Sequence, residues 1–238
     1  MANFNIGGIY LAQNNTSKAL EYHEKALAFF KSQNDLEKQA IALSAIGGDY
    51  VSIKDYDKAI GYFEQSKDIS LSTGNNRQLA FVYDYLADLN SKKSNYEKAL
   101  EYSFLATPIW KELAPGGQNA IVNKGNIGGA YLDLAINDSL TQKRHPGNSS
   151  FSRKELLASA EKHLKETISM SQTINDLYYE SFYGLILSDV YELQSDYKNA
   201  YSLYKNIKPL MIHFIHRISR TRLPNWRVKK SSHYEIKN

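Results

Sequence analysis

Apolar residues return at three- and four-residue spacing along most of the chain, as in Ala40, Leu43, Ile46, Gly47, Tyr50 and Val51, and again in Ala59, Ile60, Phe63 and Ile69. That spacing paints a stripe on one face of an α-helix and predicts helices rather than strands. Turn-forming stretches break the stripes: KDYD, KSNY and SDYK at one set of junctions, SQND, TGNN, APGGQ and TIND at another. The chain therefore reads as helix, tight turn, helix, longer turn. Asp55, Asn95 and Asp196 each stand just before a second helix, where a short polar side chain accepts from exposed backbone N–H groups.

The pattern also repeats. IGGIYLAQNNTSKALEYHEKA, from residue 6, returns as IGGDYVSIKDYDKAIGYFEQS from residue 46, an offset of 40. Gly7, Gly47 and Ala87 fall in register, as do Ala19, Ala59 and Ala99. Ile127, Gly128 and Tyr131 restart the motif at an offset of 41, and YELQSDYKNAYSLYK from residue 191 echoes YVSIKDYDKAIGYFE at an offset of 141. Five units result, at about 1–35, 36–75, 76–115, 118–175 and 177–207, followed by an extended last helix and basic tail over 208–238. In the fourth unit Tyr131 and Ala160 stand 29 residues apart, where Tyr50 and Ala59 stand 9 apart, which predicts an inserted loop at about 136–152.

These residues resemble the tetratricopeptide repeat family, whose units are antiparallel helix pairs with a small residue and then Tyr on the first helix. The period of 40 exceeds the roughly 34 residues usual there and suggests helices about a turn longer, as in the extended repeats of bacterial regulators and sensors. Asn90 in place of the tyrosine, and His23 and Ser103 in place of the aromatic seen at Phe63 and Tyr204, depart from the family pattern. The resemblance implies an all-α fold, a right-handed solenoid of five helix pairs with a concave face lined by the first helices. On that face the family pattern places Ser44, Gly48, Val51, Asp84, Asp88, Ser91, Gly129, Asp133, Leu185, Asp189 and Glu192. Such a surface is acidic in its middle and C-terminal part, and suits a protein or peptide segment with basic and apolar side chains.

The glycine pairs Gly7-Gly8, Gly47-Gly48 and Gly128-Gly129 lie mid-helix, where each glycine costs about 1 kcal/mol relative to alanine. Close approach of the paired helices at the first glycine of each pair offsets that cost. The second falls on the inner side and deepens the groove. No phosphate-cradling G-x-x-x-x-G-K-[ST] sequence is present.

Charge and composition narrow the function. Residues 208–238 hold eight Lys/Arg against Glu235, a net +7, which leaves the other 207 residues at −3. The basic tail, with one Trp and one Tyr, has the composition of a nucleic-acid contact, but short basic termini are common and nucleic acid is not the expected partner. The chain has no cysteine, which removes disulfides and thiolate metal sites. Its six histidines are scattered, and His213 with His216 lacks a nearby third ligand, so no metal or other cofactor is expected. Nothing sets a carboxylate beside a base or nucleophile, and the expected function is non-catalytic.

Neither a signal peptide nor an apolar run long enough to span a bilayer is evident, so the default expectation is a cytoplasmic protein, or an extracytoplasmic one if the chain is part of a larger sensor. Leu210, Met211, Phe214, Ile215 and Ile218 continue an apolar stripe past Pro209. An exposed stripe at a solenoid end calls for a cap, a partner or a second copy of the chain, so a homodimer through that end is one expectation. Together these observations predict a binding scaffold. The alternative is the ligand- or peptide-sensing region of a bacterial signalling or transcription regulator whose output domain lies elsewhere.

Overall fold

The computed structural model describes residues 1–141 and 151–220, with side chains described through 137 and over 151–209. Ten helices follow one another among the described residues: α1 (Ala2–Ala12), α2 (Thr16–Ser32), α3 (Leu36–Ser52), α4 (Tyr56–Thr73), α5 (Asn76–Lys92), α6 (Tyr96–Leu113), α7 (Gln118–Thr141), α8 (Arg153–Thr173), α9 (Leu177–Leu193) and α10 (Tyr197–Arg220). Each packs on the next, and α3, α5, α7 and α9 also touch in succession, forming one continuous inner layer. The arrangement is an all-α repeat solenoid.

The turns explain the register. Asn14, Asn34, Lys54, Gly74 and Ser94 all have positive φ and recur every 20 residues, followed by Asn175 and Ser195 after the insertion. After each of these left-handed residues except Ser94 comes one whose backbone closes one helix and whose side chain caps the next. Asp35, for example, donates its backbone N–H to the Phe30 carbonyl at 3.0 Å, closing α2, while its side chain accepts from the Lys38 N–H at 3.1 Å and opens α3. Asp55 does the same between Tyr50 and Lys58, and Asn75 between Ser70 and Gln78. This is a Schellman closure whose last residue is the next N-cap.

Two expectations change here. Turns between units are expected to be longer than turns within them; 114–117 is longer, but 33–35 has the same length as the inner turns 13–15, 53–55 and 93–95, and 74–75 is shorter, because these turns share the same left-handed residue. The inserted segment was expected to leave the helix near 136, but α7 continues to Thr141, since no proline or glycine interrupts Ile136–Thr141. The helix resumes as α8 with a reciprocal cap between Ser152 and Glu155. Both Pro108 and Pro209 lie inside helices, α6 and α10.

The first glycine of each pair stands at a helix contact. A Cβ at Gly47 would come within 3.0 Å of the Phe63 ring, one at Gly128 within 2.7 Å of Leu164, and one at Gly7 would overlap His23. The second glycines, Gly8, Gly48 and Gly129, have nothing within 4 Å of that point. Close packing thus compensates the helix cost at one glycine, and open space marks the other.

Polar side chains fasten the units together. His23 Nδ1 and Asp49 Oδ2 lie 2.6 Å apart between α2 and α3, with both residues buried. Gln78 on α5 donates to Ser44 Oγ on α3 at 2.6 Å, and Ser66 on α4 donates to the Ala40 carbonyl at 2.7 Å. These bonds satisfy most of the polar groups that the apolar contacts bury, although Asp49 Oδ1 has no partner among the described residues.

Candidate functional site: a groove over the middle helices

The inner layer opens into a groove of about 160 Å³ between α5, α6, α7 and α9. Ala87, Ala99, Ser103, Gly129 and Ala130 make a floor of small residues. Asp88 and Ser91 stand on the α5 wall and Asp133 on α7, opposite Phe182 and Ile186 of α9. Phe182 is 44% exposed, although it stacks on Tyr178 and meets the edge of Tyr183.

The space exists because rings are missing. Four residues after the small alanine of the second helix in the first four units stand His23, Phe63, Ser103 and Leu164. The three larger side chains fill the contact against Gly7, Gly47 and Gly128, whereas Ser103 faces Ala87 and leaves room. On the far side, Tyr183 lies across Gly125 so closely that a Cβ there would overlap the ring. Its hydroxyl donates to the Val122 carbonyl at 3.2 Å, and burial pushes its ionisation well above the ordinary range. Gly125 therefore lets α9 settle onto α7 and fixes where Phe182 projects.

One helical turn before Asp88 stands Asp84, a half-buried carboxylate. Asp84 accepts from Trp110 Nε1 at 2.6 Å and from Asn123 Nδ2 at 2.8 Å. Asn123 also donates to the Ser103 carbonyl at 3.0 Å and accepts from Thr107 at 2.8 Å. One network thus joins α5, α6 and α7. Burial pushes the Asp84 carboxyl up to about 6, against the two hydrogen bonds, which favour the ionised form.

Of the residues that the family pattern places on the concave face, the structure brings Asp88, Ser91, Gly129 and Asp133 together in this groove. Asp88 is paired with Lys92, one turn on. Asp84 is taken up by Trp110 and Asn123 and is not a groove wall. Ser44 is engaged with Ser66 and Gln78, and Val51 packs against the core around Ala59 and Phe63. Gly48 is open, one unit away. Leu185, Asp189 and Glu192 lie on α9 outside the groove lining, with Asp189 exposed. The apolar positions Leu210, Met211, Phe214, Ile215 and Ile218 fall in α10, with their side chains outside the described residues, as are those of His213 and His216. Sequence reasoning missed Asn126, Phe182, Ile186 and the supporting Gly125–Tyr183 contact. A signal for the last was present in Gly125, a mid-helix glycine three residues before the repeat's small-residue position at Gly128.

Among the described residues no group of three His, Asp or Glu is placed to hold a metal ion, and no helix is long and apolar enough to cross a membrane.

The helix order, the inner layer and the groove define a helical-repeat protein of the kind built from stacked antiparallel pairs. Residues 4–37 and 38–112 each match a tetratricopeptide repeat family model, which identifies tetratricopeptide repeats over those residues. No curated protein sequence matches it significantly. Among solved structures, the BtubC (BKLC) protein of P. vanneervenii is similar over 98% of this chain and 84% of its own, with 17% identity and a TM-score of 0.70. A putative kinesin light chain repeat protein of Podosopora anserina matches over 90% and 95%, with 12% identity and a TM-score of 0.69. A Rap protein solved with competence and sporulation factor matches over 90% and 64%, with 13% identity and a TM-score of 0.51. At these identities the likeness is one of fold.

Proposed function

We propose that the chain is a non-catalytic scaffold that holds a protein or peptide segment, bearing basic and apolar side chains, along the face formed by its first helices. The observation that carries this reading is the groove, in which Asp88 and Asp133 flank an apolar wall of Phe182 and Ile186 over a floor of small residues. A concave site with apolar walls and a few convergent charges is a usual form of ligand recognition. Helical repeats present extended binding surfaces of this kind.

Selection of a random peptide library on the folded chain tests the proposal. Peptides enriched in Lys or Arg beside aliphatic or aromatic residues are expected, and an Asp88→Lys/Asp133→Lys variant of unchanged helix content should lose them. Equal recovery by both proteins would place binding elsewhere, and recovery by neither would remove the scaffold reading.

A second reading, a peptide-sensing region of a signalling protein, draws support from the similarity to a Rap protein solved in complex with competence and sporulation factor. A selected peptide that makes the chain more compact in solution scattering would favour it. Binding without a change in dimensions would favour the scaffold.

A further inference from the structure

We propose that the face of α1 bearing Ile6 and Ile9 docks α10 of a second copy of this chain, so that copies stack head to tail and continue the solenoid. The repeat itself defines the surface. Asp49, Leu89, Ala130 and Val190 hold one register position in α3, α5, α7 and α9, and all are at most 3% exposed. The second helix of the preceding unit packs on each of these helices. At α3 the cover is α2, whose His23 meets Asp49, and at α7 it is α6, whose Leu100 forms a core cluster with Ile127 and Ala130.

Ile9 holds that position in α1 and is 58% exposed, because no helix precedes α1 among the described residues. Ile6 stands where Ile46 and Ile127 are fully buried, and is itself half-buried. The helix is also uncharged: ANFNIGGIYLA has no Lys, Arg, Asp or Glu, whereas every other helix carries several. A solenoid end that faces water ordinarily presents a polar surface, and this one is apolar.

The matching surface is on α10. Tyr201 follows Ala200 as Leu100 follows Ala99, and so holds the position from which Leu100 packs on α7. Tyr201 is 68% exposed, and Tyr197, one turn earlier, is equally open. Stacking α10 of one copy on α1 of the next places Tyr201 beside Ile6 and Ile9, as Leu100 lies beside Ile127 and Ala130. The joint repeats a pairing made four times within the chain, α2 on α3, α4 on α5, α6 on α7 and α8 on α9. A pairing of two α1 helices has no such counterpart, which selects α10 of a second copy as the occupant. Because the two mating surfaces differ, every added copy leaves one of each open, and stacking runs on instead of closing at a pair.

Sedimentation of the full chain over a range of concentrations tests the joint. The average mass should rise above that of one chain without levelling at two. Ile9→Lys and Tyr201→Lys, both at exposed positions, should each hold the chain as a monomer with helix content unchanged. Ile9→Ser, which removes the apolar branch without adding charge, should weaken association in the same direction. Mixing the two lysine variants should restore pairs but nothing longer, because each has lost a different half of the joint. A chain that stays monomeric throughout, or association that either lysine substitution leaves intact, would overturn the proposal. So would a mass that levels at two copies, or a mixture of the lysine variants that remains monomeric, since both mark a symmetric contact. Neither Ile9 nor Tyr201 lines the groove, so this joint and the peptide-binding reading fail by different observations.

Discussion

The second and third units, α3–α4 and α5–α6, share their register and differ in what fills it. In the second, Phe63 abuts Gly47 and stacks on Tyr85, with ring centroids 4.8 Å apart and planes 13° from parallel. In the third, Ser103 faces Ala87, and the residue corresponding to Tyr85 at the next unit's offset of 41 is Asn126. All three line the groove. A second substitution accompanies the first: the hydroxyl of Ser44 is replaced 40 residues on by the carboxylate of Asp84. The same backbone arrangement therefore yields a closed joint in one unit and a recess beside a half-buried acid in the next. Side-chain volume at three positions makes the difference.

Exchanging those side chains should exchange the properties. Ala87→Gly/Ser103→Phe is expected to fill the recess and abolish peptide binding, read in the same selection. The reciprocal change, Phe63→Ala, removes a fully buried ring and should cost about 3–5 kcal/mol in urea unfolding.

This half-buried acid makes a pH-dependent prediction. With a folded value near 6 and an unfolded value near 4, Asp84 binds a proton more tightly in the folded chain. Its stabilising contribution is complete below about pH 4 and is lost as pH rises through about 6. Relative to Asp84→Asn, the wild-type chain should lose about 3 kcal/mol between these limits, measured as the difference in urea midpoints across the range.

A smaller contrast lies at the helix starts. Asp55 accepts from the Lys58 N–H at 3.3 Å, whereas Asn95 makes no side-chain cap bond. Asp55→Ala should therefore lower the urea midpoint clearly. Asn95→Ala should cost only a few tenths of a kcal/mol by the same measure. Lys54, at φ 64°, holds a non-glycine residue in the left-handed region, and Lys54→Gly should stabilise the chain by about 0.5–1 kcal/mol, visible as a modest rise in melting temperature.

The helix pairs were legible in the sequence because their determinants are local and repeated. Stripe spacing, Asp55 and Asp196 as caps, and Gly47 and Gly128 as contact points act within one pair. The groove was legible only through Asp88, Ser91, Gly129 and Asp133, which share the inner-face register. Its remaining walls depend on three units at once. Phe182 projects into it because Tyr183, 58 residues after Gly125, lies on that glycine, a relation that no single repeat contains. Asp84 has the right register for a surface acid, but Trp110 and Asn123, 26 and 39 residues away, turn it inward. Periodicity identifies equivalent positions and is blind to the neighbours that make them unequal.

The fourth pair shows what the doubled role of the turn permits. About 20 residues separate its halves beyond the usual spacing, yet Leu164 still finds Gly128, and α8 begins on a cap of its own. The pair is specified by its mating surfaces and helix ends rather than by continuity of the backbone between them. That junction is a natural splice point: a passenger domain inserted there, or a nick in the chain, should leave two halves that recognise each other unaided.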